Sequence, residues 1–415
     1  MRLHWRIYLF VLTGSIVLFS NQKTQDDWGF YGHRLINKMA VFTLPPPLNQ
    51  FYKNEIDYIA EHAVDPDKRR YAIKAEAVRH YIDLDHWGDS AWITLPRSLG
   101  KAIGIYSSFY LCHELDTISV FEPIKLADQN KLKFVTFSQE FLSRVICLRG
   151  ELSLDSLGNW IQWYAMREYD QTHWIVEDQE VLRHLIPELN SEHHLWIKDE
   201  FTAHGILPYH LKSMYDRLIQ AWKMHDANLV LKLSADIGHY IGDAHVPLHT
   251  SENYNGQLSN QIGIHAFWES RIPELFAEED FDFWTGTAEF VAHPVSYFWN
   301  IIRTSHHYVD STLAIEKQIS QEIPSDLQYC YEERLGLITK LPCKEYSALY
   351  HQRLNRQVEA RMKASIRAIG SIWYSAWVEA GQPDILQLQR DLPIELNSDS
   401  IPLAKRSELN LREHE

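Results

Sequence analysis

Over residues 208–241 apolar side chains recur at the spacing of an α-helix, with Leu211, Met214, Tyr215, Leu218, Ala221 and Trp222 on one face. A stripe of that length must be buried against other elements, and it constrains the fold more than any other stretch. The same period marks 28–42 through Leu35, Ile36, Met39 and Ala40, and stops at Leu44-Pro45-Pro46-Pro47. A further helix is expected over roughly 48–63, ending in a turn at Asp65-Pro66-Asp67. Residues 345–380 read as one long helix with Leu354, Val358, Met362, Ile366 and Ile369 in register, closed by Gly381 and Pro383. Between about Ser90 and His204 strand alternation is sparse, while 137–148 and 155–167 carry helical patterns. The expected fold class is all-α: one domain over 28–382, a helical insertion at about 90–205, and a charged tail over 383–415.

Residues 1–27 hold Arg2, His4 and Arg6, then an apolar run over 7–20, then a polar stretch, which is the layout of a secretory signal peptide. The run is shorter than the roughly 18 to 20 residues of a spanning helix, so export, periplasmic or secreted, is favoured over a retained anchor. Cys112, Cys147, Cys330 and Cys343 fit an exported chain. Cys330 and Cys343 flank a loop containing Pro342 and can pair locally; the alternative is four buried thiols. The formal charge of −15 over 415 residues weighs against broad, metal-free binding of polyanions. Divalent cations gathered in one cleft would reverse that sign locally.

The chemistry concentrates in Gly238-His239-Tyr240-Ile241-Gly242-Asp243-Ala244-His245-Val246-Pro247-Leu248-His249. His239 and Asp243 are i and i+4 and share a helix face, and Pro247 ends that helix so that His249 can fold back toward it. His265 and Glu269 repeat the i, i+4 spacing on another helix. Zinc prefers neutral imidazole nitrogen and carboxylate oxygen, and a catalytic site leaves one position open for water. One triplet is His249, His265 and Glu269; a second is His80, His239 and Asp243. A lone histidine among 22 carries little weight, so His62, His86, His113, His193, His194, His306 and His307 are read as ordinary surface or core residues. His245 is read as turned to another face of its helix.

Trp28-x4-His33, Asp65 followed by His80, His239-x3-Asp243-x5-His249 and His265-x3-Glu269 together give a pattern that resembles the superfamily of zinc-dependent phospholipases C and zinc-dependent single-strand nucleases. The resemblance implies a multi-helical fold around a trinuclear zinc cleft. One zinc would take His80, His239 and Asp243, with Asp65; a second would take His249, His265 and Glu269. The third would take His33, a bridging oxygen of Asp243, and the α-amine and carbonyl of Trp28, which requires Trp28 to be the mature N-terminus. Asp26 and Asp27 stand where a signal peptidase prefers small residues, and upstream cleavage would leave two zincs. Asp65 is chosen over Asp67 on its spacing to His80. The interval from His80 to His239 exceeds what the family's core needs and accommodates the insertion.

A cluster of this kind lowers the pKa of bound water from 15.7 toward about 7, giving a metal-bridging hydroxide for in-line attack on phosphorus. Asp65 would orient that nucleophile or take its proton. The expected function is phosphodiester hydrolysis, phospholipase C-like and in peripheral contact with a membrane, because Glu269 and the short interval from His249 to His265 resemble that branch. The alternative is a single-strand nuclease or 3′-nucleotidase, which Trp28-x4-His33 resembles. A third reading, a non-catalytic envelope protein stabilised by zinc, is disfavoured because structural zinc sites favour cysteine and none lies near the motif. Nothing in the sequence points to a protein partner.

Overall fold

The computed structural model describes residues 30–113, 116–124, 132–145, 149–165, 173–189, 193–334 and 336–388. The leader, Trp28, Cys147 and the chain from 389 onward lie outside them.

Six helices frame the site: α1 (Phe30–Ala40), α2 (Asp65–Arg70), α3 (Leu207–Lys223), α4 (Ala227–His245), α5 (Pro294–His306) and α6 (Gln357–Glu379). The 208–241 pattern resolves into two of them. At the junction of α3 and α4, His225 takes φ 57° and the Asp226 side chain caps α4 by accepting from the Leu229 amide at 2.9 Å. Every residue of α4 from Leu233 to His245 is buried, because α1, α3, α5 and α6 pack around it. In the core, Tyr52 stacks on Trp373 with centroids 4.7 Å apart. Both are pinned to α4 at Ser234: the Tyr52 hydroxyl lies 2.8 Å from the Ser234 hydroxyl, and Trp373 Nε1 donates to the Ser234 carbonyl at 3.0 Å.

Two glycines of α4 set the approach of α1. A Cβ on Gly238 would stand 1.9 Å from Asn37 Oδ1, and one on Gly242 would stand 2.9 Å from His33 Nδ1 and 2.7 Å from Ile36 Cδ1. Their bare faces let α1 settle close enough to bring His33 against Asp243.

The all-α expectation is corrected: the fold is mixed α/β. The segment expected as a helical insertion carries β1 (Ser108–His113), β2 (Asp116–Ser119), β3 (Phe134–Thr136), β4 (Glu151–Ser153), β5 (His173–Val176) and β6 (His194–Lys198). An antiparallel sheet runs β2-β1-β6-β5, and β3 pairs with β4. Buried Phe109 and Leu111 on β1 face Ile197 and Leu195 on β6, a period-two burial that a helical insertion would not produce. Helix survives there as Ala91–Thr94, Leu99–Tyr106, Gln139–Arg144, capped by Ser138, Leu154–Trp160, which runs into a π turn over Ile161–Ala165, and Gln179–Leu185. A third small sheet pairs β7 (Tyr329–Arg334) with β8 (Leu337–Pro342), and a Cys330–Cys343 disulfide ties its base. Cys112 is a buried free thiol.

Three other expectations need revising. The 48–63 helix is split at Glu55 into Leu48–Asn54 and Ile56–Glu61, followed by a 3-10 turn over His62–Val64. The 345–380 helix is broken: Lys344–Arg353 and α6 are separated by Asn355 and Arg356 at φ 50° and 62°. Asp65-Pro66-Asp67 is not a turn but the start of α2, where Pro66 needs no amide partner. Among the described residues no helix is long and apolar enough to cross a membrane.

Candidate metal centre

Five stretches of backbone converge on the C-terminal half of α4: α1, α2, the loop that carries His80, the turn after Pro247 and the segment that carries His265 and Glu269. His239 and Asp243, one turn apart on that helix, face each other with Nε2 3.3 Å from Oδ2. From α1, His33 reaches in so that its Nε2 lies 3.4 Å from Asp243 Oδ1 and 3.2 Å from Glu269 Oε1, with its ring stacked on His239 at 4.0 Å. From the loop after Lys74–Ala77, His80 Nδ1 approaches Asp243 Oδ2 at 2.9 Å and His239 Nε2 at 3.1 Å.

Pro247 ends α4, and the 3-10 turn Pro247–Thr250 returns His249 to the cluster. Glu269 Oε2 lies 3.2 Å from His249 Nε2 and 2.6 Å from His265 Nε2. His265 sits on the short helix Ile264–Ala266 and Glu269 in the π turn Phe267–Arg271 that continues it. Wider turns of this kind recur at functional sites because they re-aim side chains without ending the helix.

Two imidazoles are fixed as neutral ligands would be. His239 Nδ1 donates to the Ala63 carbonyl at 2.9 Å and His249 Nδ1 to the His80 carbonyl at 2.6 Å, so each turns Nε2 to the carboxylates. His80 presents Nδ1 instead, while its buried Nε2 has no hydrogen-bond partner, the nearest carboxylate oxygen being Glu76 Oε1 at 4.0 Å. Glu76 is itself held by Arg69, Arg79 and the Tyr240 hydroxyl.

The sequence choice of Asp65 is corrected by the geometry. Asp65 is turned onto His62 Nδ1 at 2.5 Å and Lys68 Nζ at 3.2 Å. It is Asp67 whose Oδ1 lies 3.7 Å from both His80 Nδ1 and His239 Nε2, steadied by Arg70 Nη1 at 3.1 Å. Each helical residue rotates by about 100°, so side chains two apart point to nearly opposite sides and only one of the pair can face the cluster. Helical continuation through Pro66 was the signal that separates them.

Buried carboxylates and imidazoles face one another throughout the cluster. Burial alone would raise the carboxyls of Asp243 and Glu269, but the facing imidazoles outweigh it and hold both well below the usual carboxylate range. Asp67 behaves in the same way, burial being outweighed by His239, His80 and Arg70. Burial likewise pulls His239 down, yet Asp243 and Asp67 prevail and hold it up at about 9. His80 goes the other way, pushed by burial down to about 4 despite its contact with Asp243.

Donor atoms within 4.8 Å of one another form four adjoining groups: His80 with His239 and Asp243; His249 with His265 and Glu269; His33 with Asp243 and Glu269; and His33 with Asp67 and His239. These groups can hold metal ions. The imidazole and carboxylate donors and the locked tautomers of His239 and His249 fit that use. Trp28 lies outside the described residues, so its amine is not placed. His245 faces away from the cluster, its Nδ1 bonded to the Ile241 carbonyl at 2.7 Å. No protein-family model, curated protein or solved structure matches the chain.

Proposed function

We propose that the chain is a zinc-dependent phosphodiester hydrolase, phospholipase C-like in substrate class. The observation that carries this reading is the sharing of carboxylates: Asp243 faces His33, His80, His239 and His249, and Glu269 faces His33, His249 and His265. Adjoining ligand groups joined through common carboxylates suit two or three cations held close together, an arrangement that favours phosphoryl transfer. Imidazole with carboxylate is the donor mixture that zinc prefers.

Zinc bound here would supply Lewis acidity toward phosphate oxygens and ionise water near neutral pH. The chain's own part is to fix and deprotonate. His239 and His249 are held in the tautomer that offers Nε2, and Asp243 spans two groups. Asp67, ionised at neutral pH and steadied by Arg70, is the proton acceptor at the face shared by His80 and His239.

The lipid reading is favoured over the nucleic-acid one by the segment between His249 and His265, which carries Leu258 and Ile262 exposed at 72% and 71%. Aliphatic side chains so close in sequence to two metal-facing histidines suit an acyl-bearing substrate or an interface, and the segment offers no Lys or Arg to a nucleic-acid backbone. The net charge of −15 leans the same way. Turnover of phosphatidylcholine, single-stranded DNA and RNA, each with and without a chelator, tests the proposal. Chelator-sensitive release of a phosphorylated head group is expected. Nucleic-acid cleavage alone would move the assignment to the nuclease branch, and no turnover of any of the three would overturn it.

A further inference from the structure

Away from the residues of the main cluster, His86, His204 and Glu252 bring three donor atoms together from three separate stretches of chain. His86 lies in the 3-10 turn Asp85–Trp87 beyond His80, His204 closes the 3-10 turn Thr202–His204 at the end of the inserted segment, and Glu252 follows His249 by three residues. His86 Nδ1 is 2.8 Å from Glu252 Oε1, and His204 Nδ1 is 3.7 Å from the same oxygen. The two rings stack face to face with centroids 3.4 Å apart.

Hydrogen bonding accounts for half of this arrangement. His86 is within reach of Glu252, but 3.7 Å is too long for His204 to bond the same oxygen. His204 Nδ1 also faces a second carboxylate, the buried Asp83, at 3.5 Å from Oδ2. Donors around a tetrahedral zinc stand about 3.4 Å from one another, and 2.8 to 3.7 Å brackets that value.

The backbone around these residues is braced as ligand-bearing segments usually are. Asp85 accepts from the amides of His86 and Glu252 at 3.1 and 3.0 Å and from the Ser251 hydroxyl at 2.6 Å, tying two ligand loops to each other. The Asp83 amide donates to the His204 carbonyl at 2.8 Å, which ties in the third.

We propose that His86, His204 and Glu252, with Asp83 beside them, form a separate binding site for one zinc-class divalent cation. Two imidazoles and a carboxylate exclude calcium and magnesium, which take all-oxygen shells. His86 and Glu252 are 35% and 41% exposed, so the site is open to solvent and a water can complete the shell. The ion fastens the end of the inserted segment to the loops that carry His80 and His249, without being one of the cluster's own metals.

The test is zinc content of the intact chain, measured by mass spectrometry after equilibration with zinc and removal of free ion. His86→Ala and His204→Ala are each expected to carry one equivalent less than the unaltered protein, with calcium unable to restore it. Glu252→Gln, which keeps the side chain's shape, guards against a loss caused by misfolding and is expected to lower zinc content in the same way. Equal zinc content in the unaltered protein and all three variants overturns the site. Because the readout is metal content and not turnover, it is independent of whether the main centre hydrolyses a phosphodiester.

Discussion

Asp67 and His239 stand 3.7 Å apart across the mouth of the cluster, while Asp65, one residue beyond Pro66 from Asp67, points away onto His62. If Asp67 takes the proton, Asp67→Asn lowers hydrolysis by roughly 10²- to 10⁴-fold, the usual worth of a positioned acid or base. Asp65→Asn is expected to keep most of the activity. Steady-state rates of the two variants decide the matter, and the reverse order would return the role to Asp65.

Removing a shared ligand should cost more metal than removing a terminal one. His239 belongs to two of the ligand groups and Asp243 to two, so His239→Ala or Asp243→Ala is expected to lose at least one zinc equivalent. Full zinc content in both variants would take these residues off the ligand list.

The raised imidazole of His239 gives the metal-free and metal-bound proteins different responses to pH. Its folded value of about 9 exceeds the ordinary 6.5, so the folded metal-free state binds the extra proton. The stability this contributes is complete below about 6.5 and is lost as pH rises through about 9. Zinc needs the neutral ring, so its binding expels that proton and strengthens over the same window. Melting temperatures recorded from pH 6.5 to 9 are expected to fall without zinc while the zinc-induced rise grows. A zinc-induced rise that is constant across the window would contradict the assignment.

Gly242→Ala forces a methyl to within 2.9 Å of His33 Nδ1 and 2.7 Å of Ile36 Cδ1, pushing α1 off α4. Overpacking of this kind costs about 1–3 kcal/mol. Denaturant titration should register the loss, and zinc content should fall with it because His33 moves. Unchanged stability would mean that α1 is not held where it is described.

The parts of this fold with long apolar periods were legible in the sequence: α1, α3, α4 and α6 announce themselves through residues such as Leu211, Leu218, Ile366 and Ile369. The four-stranded sheet did not, because its strands run only four to six residues and mix histidine and tryptophan into the alternation, as in His194–Lys198. The break before α6 was hidden because Asn355 and Arg356 adopt left-handed backbone without a glycine or proline to mark it. Within the centre, pairs one helical turn apart were readable from spacing. The group of His86, His204 and Glu252 was not, since no local period links residues brought together from three loops.

The centre also acts on the topology of the chain. His33 on α1, His80, Asp243 on α4 and Glu269 are far apart in sequence, so each ion held by them closes long loops, as a disulfide would. Unlike a disulfide, an ion is released when its ligands part, so its binding free energy would count toward the folded state only when all of these distant segments have come together. Metal held there would be linked to the long-range order of the molecule and little to its local helices, whose caps and apolar faces do not involve these residues. Withdrawing zinc is expected to slow the docking of α1 onto α4 while leaving the far-ultraviolet helix signal in place, so that assembly and secondary structure respond to the ion separately.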